Sequence, residues 1–185
     1  MKKTTARVIV NTICRRDCAY CCNKSTAIMR RATPIYTVKP LNKFEVVCIT
    51  GGEPMLLQHR LRVLIKGIKQ LPTFPKIYIY MADYDDIRDV EEIAYMVDGF
   101  TWTVHAKATQ DDLDKFRAVQ SIAFTMPELS WRLKLHHDCP LVLPLMPRAW
   151  KFIKQRPFFT LDKCTIPGNE KLFIVQTNLE EELDV

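Results

Sequence analysis

The sequence has no apolar run long enough to cross a membrane. A spanning helix needs about 18 or more consecutive apolar residues, and the apolar stretch nearest the N-terminus is only Val8–Val10. The sequence therefore predicts no membrane span and no secretory signal peptide. We expect a cytoplasmic protein, in which cysteine thiols stay reduced.

The 185 residues also lack internal repeats, low-complexity tracts and Gly/Ser-rich linkers. This length fits one compact domain, or one domain with a short appendage. Hydrophobic residues make up 48% of the chain, which is enough for a sizeable core that needs no disulfide bonds. The formal net charge of +6 suits an anionic partner or substrate, and it equally serves solubility.

Cysteine is present but unevenly distributed, because four of the seven cysteines lie between residues 14 and 22. A disulfide framework spreads its cysteines along the chain, whereas a metal or cluster site bunches them. The spacing of Cys14, Cys18 and Cys21 lets one loop supply thiolates to three irons of a [4Fe–4S] cubane. The fourth iron would then lack a protein ligand, and an open coordination position is typical of catalytic metal centres.

Two alternatives compete with the cluster. A zinc ion needs a fourth ligand, which Cys22, Cys48, Cys139, Cys164 or a histidine could supply, but the absence of a second CxxC or HxxxH motif argues against zinc. The adjacent His136 and His137 are predicted to point to opposite faces of a strand, which argues against a joint metal site. Buried structural cysteines are the second alternative, but a segment that includes Arg15 and Arg16 is a poor core segment.

Short β-branched and aromatic runs alternate with helical stripes along the chain. Strands are predicted at residues 7–11, 44–50, 76–80, 100–104, 121–125, 130–136 and 171–175. Helices are predicted at residues 23–31, 57–71 and 87–97, and a further helix is predicted to begin at the capping box of Thr109 and Asp112. The alternation indicates an α/β fold with a parallel sheet and helices outside it. In such folds the chemistry lies at the carboxyl ends of the strands.

Two motifs follow the first two predicted strands. The three cysteines come after the first strand, and Gly51-Gly52-Glu53-Pro54 comes after the second. Both motifs are therefore expected at the same rim of the sheet. Glycines let the backbone approach a ligand closely, and carbonyl and carboxylate oxygens are acceptors suited to an ammonium group.

These two motifs together resemble the signature of the radical S-adenosylmethionine (SAM) superfamily. The cysteine spacing, with the aromatic Tyr20 before the last cysteine, is similar to its cluster motif, and GGEP is similar to its GGE motif. The resemblance implies a partial, open (β/α)6 radical SAM barrel with a short C-terminal extension. It implies that Cys14, Cys18 and Cys21 hold a [4Fe–4S] cluster.

The resemblance also implies how SAM would be used. SAM would bind the open iron through its amino and carboxylate groups, and Gly51, Gly52 and Glu53 would receive the amino group. Reduction by a donor such as a flavodoxin or ferredoxin would cleave SAM to methionine and a 5′-deoxyadenosyl radical, which abstracts a hydrogen atom. The charges of Arg15 and Arg16 could help to dock an acidic donor, and solvent-exposed loop charge is the alternative for both.

Three further residues are candidates for contact with SAM or substrate because they end predicted strands. Thr103 and His105 end the fourth strand, and Asp83 follows the third, where it could contact the adenosine portion of SAM. A hydrogen-bonded structural histidine is the alternative for His105, and a turn or N-cap residue is the alternative for Asp83. Tyr20 is placed with the same group of cofactor-binding residues by its position in the cysteine motif.

The substrate is left open between two classes. The stretch Cys22–Thr26 is similar to one in the activating enzymes of anaerobic ribonucleotide reductase, which install a glycyl radical on a partner protein. That group usually has Asp at the position of Glu53. Past residue 139 the chain becomes rich in proline and aromatic residues, so residues 1–139 are predicted to form the barrel and 140–185 an extension packed on it. Such an extension could enclose a small anionic substrate instead. A non-catalytic zinc or iron–sulfur module is the remaining alternative.

Overall fold

The computed structural model of the chain describes residues 4–16, 18–156 and 165–176. The described strands are β1 (Thr5–Asn11), β2 (Thr33–Ile35), β3 (Val46–Gly51), β4 (Lys76–Met81), β5 (Gly99–Val104), β6 (Ser130–His136), β7 (Phe152–Arg156) and β8 (Glu170–Val175). The α-helices are α1 (Thr26–Met29), α2 (Gln58–Lys69), α3 (Ile87–Ala94) and α4 (Gln110–Thr125). Short 3-10 helices cover Cys22–Lys24, Lys39–Lys43, Pro54–Leu56 and Pro147–Ala149.

All eight strands form one parallel sheet in the order β2-β8-β1-β3-β4-β5-β6-β7. The α/β class predicted from the sequence is therefore confirmed. The sheet is open, with β2 and β7 as its edges. Both β7 and β8 come from beyond residue 139, so the proline- and aromatic-rich segment contributes strands to the same sheet.

From β1 through β3, β4, β5 and β6, each next strand is added on the same side of the previous one. Crossovers between parallel strands are right-handed, so a steady progression in one direction puts the connecting helices on one face of the sheet. Helices α2, α3 and α4 accordingly bury their apolar stripes in the same core as alternate strand residues such as Val8, Ile49, Ile79 and Trp102. We call the opposite face of the sheet the inner face.

Helix α1 packs on the inner face, near β1 and β8. Its Ile28 forms a small second apolar cluster with Ile9 of β1 and Leu172 of β8. This cluster covers only that side of the inner face. None of the helices in the described ranges is long and apolar enough to span a bilayer.

Two predictions of secondary structure are corrected, and two strands are added. The strand predicted at 121–125 is wrong, because these residues end α4, where Phe116, Val119 and Ala123 are buried at helical spacing. The helix predicted at 23–31 is broken into the 3-10 turn Cys22–Lys24 and α1. Strands β2 and β7 were not predicted.

Candidate active site

The loops after β1 and β3 are joined by a set of short backbone hydrogen bonds. The Gly52 N–H donates to the Asn11 carbonyl at 2.7 Å, and the Glu53 N–H donates to the Ile13 carbonyl at 2.6 Å. The buried Asn11 side chain adds two bonds: its amide donates to the Glu53 carbonyl at 3.1 Å, and its oxygen accepts from the Ile13 N–H at 2.8 Å. The start of the cysteine loop is therefore fixed directly to the GGEP segment.

The two glycines of GGEP are required by this crossing of the two loops. A Cβ on Gly52 would lie 2.0 Å from the Ile13 carbonyl oxygen, and one on Gly51 would lie 2.4 Å from the Asn11 oxygen. Gly51 also has a φ of +128°, which favours glycine. In this structure the two glycines therefore allow the backbone at the start of the cysteine loop to pass close to the GGEP segment.

Cys14, Cys18 and Cys21 line one cleft at the carboxyl ends of the strands. The cleft has a volume of about 290 Å³, and Gly51, Gly52, Glu53, Tyr20, Thr103 and His105 line it as well. All three thiols are free, Cys14 being exposed and the other two half-buried. Burial raises the pKa of the Cys14 and Cys18 thiols, so binding of a metal or cluster there releases protons.

The ligand atoms of the three cysteines do not lie together in one close group in this structure. Among the residues that the structure describes, the group of three side chains that could hold one metal ion is His136, His137 and Asp138, whose ligand atoms lie within 4.8 Å of one another. Zinc bonded to thiolates at about 2.3 Å gathers its ligands closely. A cubane binds each cysteine at a different iron corner, so it suits thiols that are spread around a cavity.

The argument from strand alternation against a joint site at His136 and His137 is wrong. Strand β6 ends at His136, so the chain is free to turn and the two rings lie 4.8 Å apart. The Nδ1 atom of His136 accepts the Asp138 N–H at 3.1 Å, and the His137 Nε2 lies 3.1 Å from a carboxylate oxygen of Asp138.

Tyr20 lies between two imidazole rings beside the cysteines. It stacks on His136 with ring centres 5.2 Å apart and on His105 at 5.9 Å, and its hydroxyl oxygen is 2.9 Å from His105 Nδ1. The same Nδ1 is 3.5 Å from Cys18 Sγ. Burial raises the pKa of Tyr20 to about 12 and lowers that of His105 to about 4. Both groups are therefore uncharged at neutral pH.

Glu53 lines the cleft while its carboxylate holds the end of β4. One carboxylate oxygen accepts the N–H groups of Ala82 and Asp83 at 2.7 and 2.9 Å. The side chain is buried, and burial raises the pKa of Glu53 to about 8. The carboxylate also acts electrostatically on Cys14, which places it close to the cysteine loop.

Asp83 has ion-pair partners and is not among the residues that line the cleft. Its carboxylate accepts from Lys115 Nζ of α4 at 2.6 Å and lies 3.6 Å from Arg15 Nε. The N-cap of α3 is Asp86 and not Asp83. A contact between Asp83 and SAM stays a prediction.

The two arginines of the cysteine loop are both engaged in ion pairs. Arg15 pairs with the exposed Asp85, and Arg16 pairs with Asp112 and donates to the Ala82 carbonyl at 3.0 Å. Arg16 lines the cleft, and its partner Asp112 also accepts the Thr109 N–H at the start of α4. These pairs connect the loop to the ends of β4 and α4.

Sequence reasoning missed Tyr80 and Lys134, which also line the cleft. Both alternate with buried apolar residues along β4 and β6, and this alternation was the signal that could have assigned them to the inner face. What the sequence could not show is that these two strands end below the cysteine loop. No protein-family model matches this chain, and no curated protein matches it.

Proposed function

We propose that the protein is a radical SAM enzyme. The observation that carries this proposal is that Cys14, Cys18, Cys21 and the Gly51–Glu53 segment line one cleft at the carboxyl ends of parallel strands. The open parallel sheet, with helices α2 to α4 on one face, is compatible with a partial (β/α)6 barrel.

The donor set fits a [4Fe–4S] cluster. Three free thiols line one cavity without being gathered into one close ligand group, and Cys22, next to the motif, is the other cysteine that lines this cleft in the part of the chain that the structure describes. Cys14, Cys18 and Cys21 would hold the cluster. When bound, the cluster and SAM would supply a reductive cleavage of SAM to methionine and a 5′-deoxyadenosyl radical that abstracts a hydrogen atom.

The chain's own residues would position the ligands and limit water. The hydrogen bonds that Gly52 and Glu53 make to the cysteine loop fix the two motifs relative to each other. The buried Glu53 would offer acceptors for the amino group of SAM. Thr103 and His105 at the end of β5, with Tyr20 stacked beside them, would form the opposite wall of the cleft.

Two substrate classes remain as proposals. Activation of a glycyl radical enzyme is favoured by the sequence after the cluster motif. A small anionic substrate is favoured by a structural observation, since Lys134 and Tyr80 bring a cation and an aromatic ring into the same cleft. In both cases a reducing partner such as a flavodoxin or ferredoxin would supply the electron.

The test is anaerobic reconstitution of the full chain with iron and sulfide, followed by reduction with dithionite and assay of SAM cleavage. We expect about four irons per chain and formation of 5′-deoxyadenosine. Cys14→Ala, Cys18→Ala and Cys21→Ala should each abolish 5′-deoxyadenosine formation. Cys139→Ala is the matched control, because Cys139 is also a free, half-buried cysteine but does not line the cleft.

Stoichiometric zinc that resists replacement by iron would contradict the proposal. So would an equal loss of iron in Cys139→Ala and in the three motif variants, because the cleft would then not be the cluster site.

A further inference from the structure

The inner face of the sheet carries a set of cations below the cysteine loop. Residues Tyr78 and Tyr80 of β4 and Arg132 and Lys134 of β6 alternate with residues of the helix-covered core, so they project from the inner face. All four are half-buried. Lys134 lines the cleft that also holds the three cysteines.

The cations converge on the middle of this face. Lys134 Nζ lies 4.5 Å from the ring centre of Tyr80, and the Arg132 guanidinium carbon lies 4.8 Å from that of Tyr78. The Arg7 guanidinium of β1 lies 5.1 Å from the Tyr80 ring. Burial raises the pKa of the Cys48 thiol, and Arg7, Arg132 and Lys134 all oppose that rise, so the three charges surround Cys48.

The positive charges on this face are only partly balanced. Arg7 forms a two-point ion pair with Glu170, at 2.8 and 3.0 Å. Among the described residues neither Arg132 nor Lys154 forms an ion pair, and Arg132 Nε donates to the Ser130 hydroxyl at 3.2 Å. A half-buried cation is stabilised by a nearby anion, which a bound ligand can supply.

Strands β6 and β7 also place two lysines side by side. Lys134 and Lys154 are register partners in this parallel pair, so their side chains project from the same face at neighbouring positions. Like charges opposite each other destabilise a strand pair. Lys154 thus extends the set of inner-face cations from β6 to the edge strand β7.

We propose that Arg132, Lys134 and Lys154 bind a phosphate group of a small substrate on the inner face of the sheet. A phosphate dianion offers several oxygen acceptors, which suit one guanidinium and two ammonium groups better than a single carboxylate does. Lys134 also lines the cleft that holds the cysteines, and a concave cleft admits a small phosphate ester more readily than a nucleic-acid backbone. This inference rests on the proposed function, because it names the substrate class of the same cleft.

The test is calorimetric titration of the full chain with pyrophosphate, without SAM and before any cluster is assembled. Pyrophosphate should bind, and the double variant Arg132→Gln/Lys154→Gln should bind it at least about tenfold more weakly. The control is Lys66→Gln/Lys69→Gln, which removes two exposed cations of α2 and should leave the affinity unchanged. The variant Lys154→Arg keeps the positive charge at this position and should retain binding.

A thermal readout separates the site from a general charge effect. Pyrophosphate should raise the melting temperature of the wild-type chain. Lys154→Gln should have an unchanged or higher melting temperature without ligand, because the like-charge pair is gone, and should lose most of the shift caused by pyrophosphate.

Several results would overturn the inference: no binding, equal affinity for pyrophosphate and succinate, tighter binding of a single-stranded oligonucleotide, or an equal loss in the α2 control. Because this experiment needs neither cluster nor SAM, its failure leaves 5′-deoxyadenosine formation as an independent test of the proposed function. Conversely, if the chain binds pyrophosphate but never cleaves SAM, the phosphate site is supported and the proposed function is not.

Discussion

Gly51 and Gly52 lie where two segments distant in sequence pass within hydrogen-bonding distance. The sequence motif suggested that the glycines leave space for a ligand, and the structure shows that they leave space for the backbone of residues 11–13. The two explanations are compatible, because a loop held this closely to GGEP presents its cysteines at a defined distance from Glu53. The GGEP motif by itself does not reveal which segment of the chain passes next to the glycines.

Replacement of Gly52 by alanine should therefore destabilise the fold before any cofactor is bound. A Cβ placed 2.0 Å from the Ile13 carbonyl oxygen requires movement of backbone, and we expect a loss of more than about 2 kcal/mol in the free energy of unfolding. Gly168→Ala is the control, since a Cβ there meets nothing within 4 Å and should change stability by less than about 0.5 kcal/mol. Urea denaturation measures both, and equal midpoints for the two variants would refute the steric explanation.

At the scale of elements, the helices and strands with a strong repeating pattern were predictable from the sequence. The apolar stripes of α2 and α3 and the β-branched runs of β1, β3 and β4 each match their structural element to within a few residues. Strand β2 has only three residues, and β7 has two apolar residues followed by three polar or charged ones, so neither shows the alternation typical of a strand. Residues 121–125 resemble a strand in isolation, but as the last turns of α4 they continue its buried stripe.

Helix α4 is coupled to the cysteine loop through Asp112. One carboxylate oxygen accepts the Thr109 N–H at 2.7 Å, which caps the helix, and the other pairs with Arg16. Burial acts to raise the pKa of Asp112, but the hydrogen bonds from Arg16 and Thr109 hold this pKa below its ordinary value. Because folding lowers the pKa of this carboxyl group, the ionised carboxylate stabilises the fold at pH values above the ordinary pKa of aspartic acid. This stabilisation is lost as the pH falls through the lowered pKa.

Asp112→Ala should lower the free energy of unfolding at pH 7 by about 2 kcal/mol or more, because it removes the cap and leaves the Arg16 charge half-buried. Asp111→Ala is the control, because Asp111 is the neighbour of Asp112 in sequence but its carboxylate is exposed and pairs with Lys115. The free energy of unfolding of this variant should fall by less than about 1 kcal/mol. The difference between wild type and Asp112→Ala should shrink at acid pH. Hydrogen exchange of the amides at residues 12–16 should accelerate in Asp112→Ala alone, and equal exchange in both variants would argue against the coupling.

For the whole molecule, the strand order is the feature that the sequence could not reveal. Strand β8 was expected as a last strand of an extension, yet it lies between β2 and β1. Nothing in the composition of residues 170–175 specifies that position, because register and neighbours follow from long-range packing. The inner-face site shares this property, since Arg132 and Lys134 of β6 come near the Arg7 side chain of β1 only in the folded sheet, and Lys154 is added by β7.

The pairing of Arg7 with Glu170 joins residues 163 positions apart, and we expect it to help set this strand order. A double-mutant cycle with Arg7→Met and Glu170→Gln should give a coupling free energy of about 1–2 kcal/mol in urea denaturation. The comparison is the exposed pair Arg117–Asp114 on α4, for which a cycle should give about 0.5 kcal/mol or less. A coupling for Arg7 and Glu170 no larger than that of the exposed pair would show that apolar packing alone places β8.

The position of β1 between β3 and β8 has a consequence for biosynthesis. The ribosome releases β1 well before β8, one of its two hydrogen-bonding neighbours, because Arg7 and Glu170 of these strands lie 163 positions apart. Until that segment has left the exit tunnel, the strand that anchors the cysteine loop has an unsatisfied edge. We therefore expect iron delivery to wait until β8 has been synthesised, and any factor that inserts metal to act on a chain in which β8 already pairs with β1.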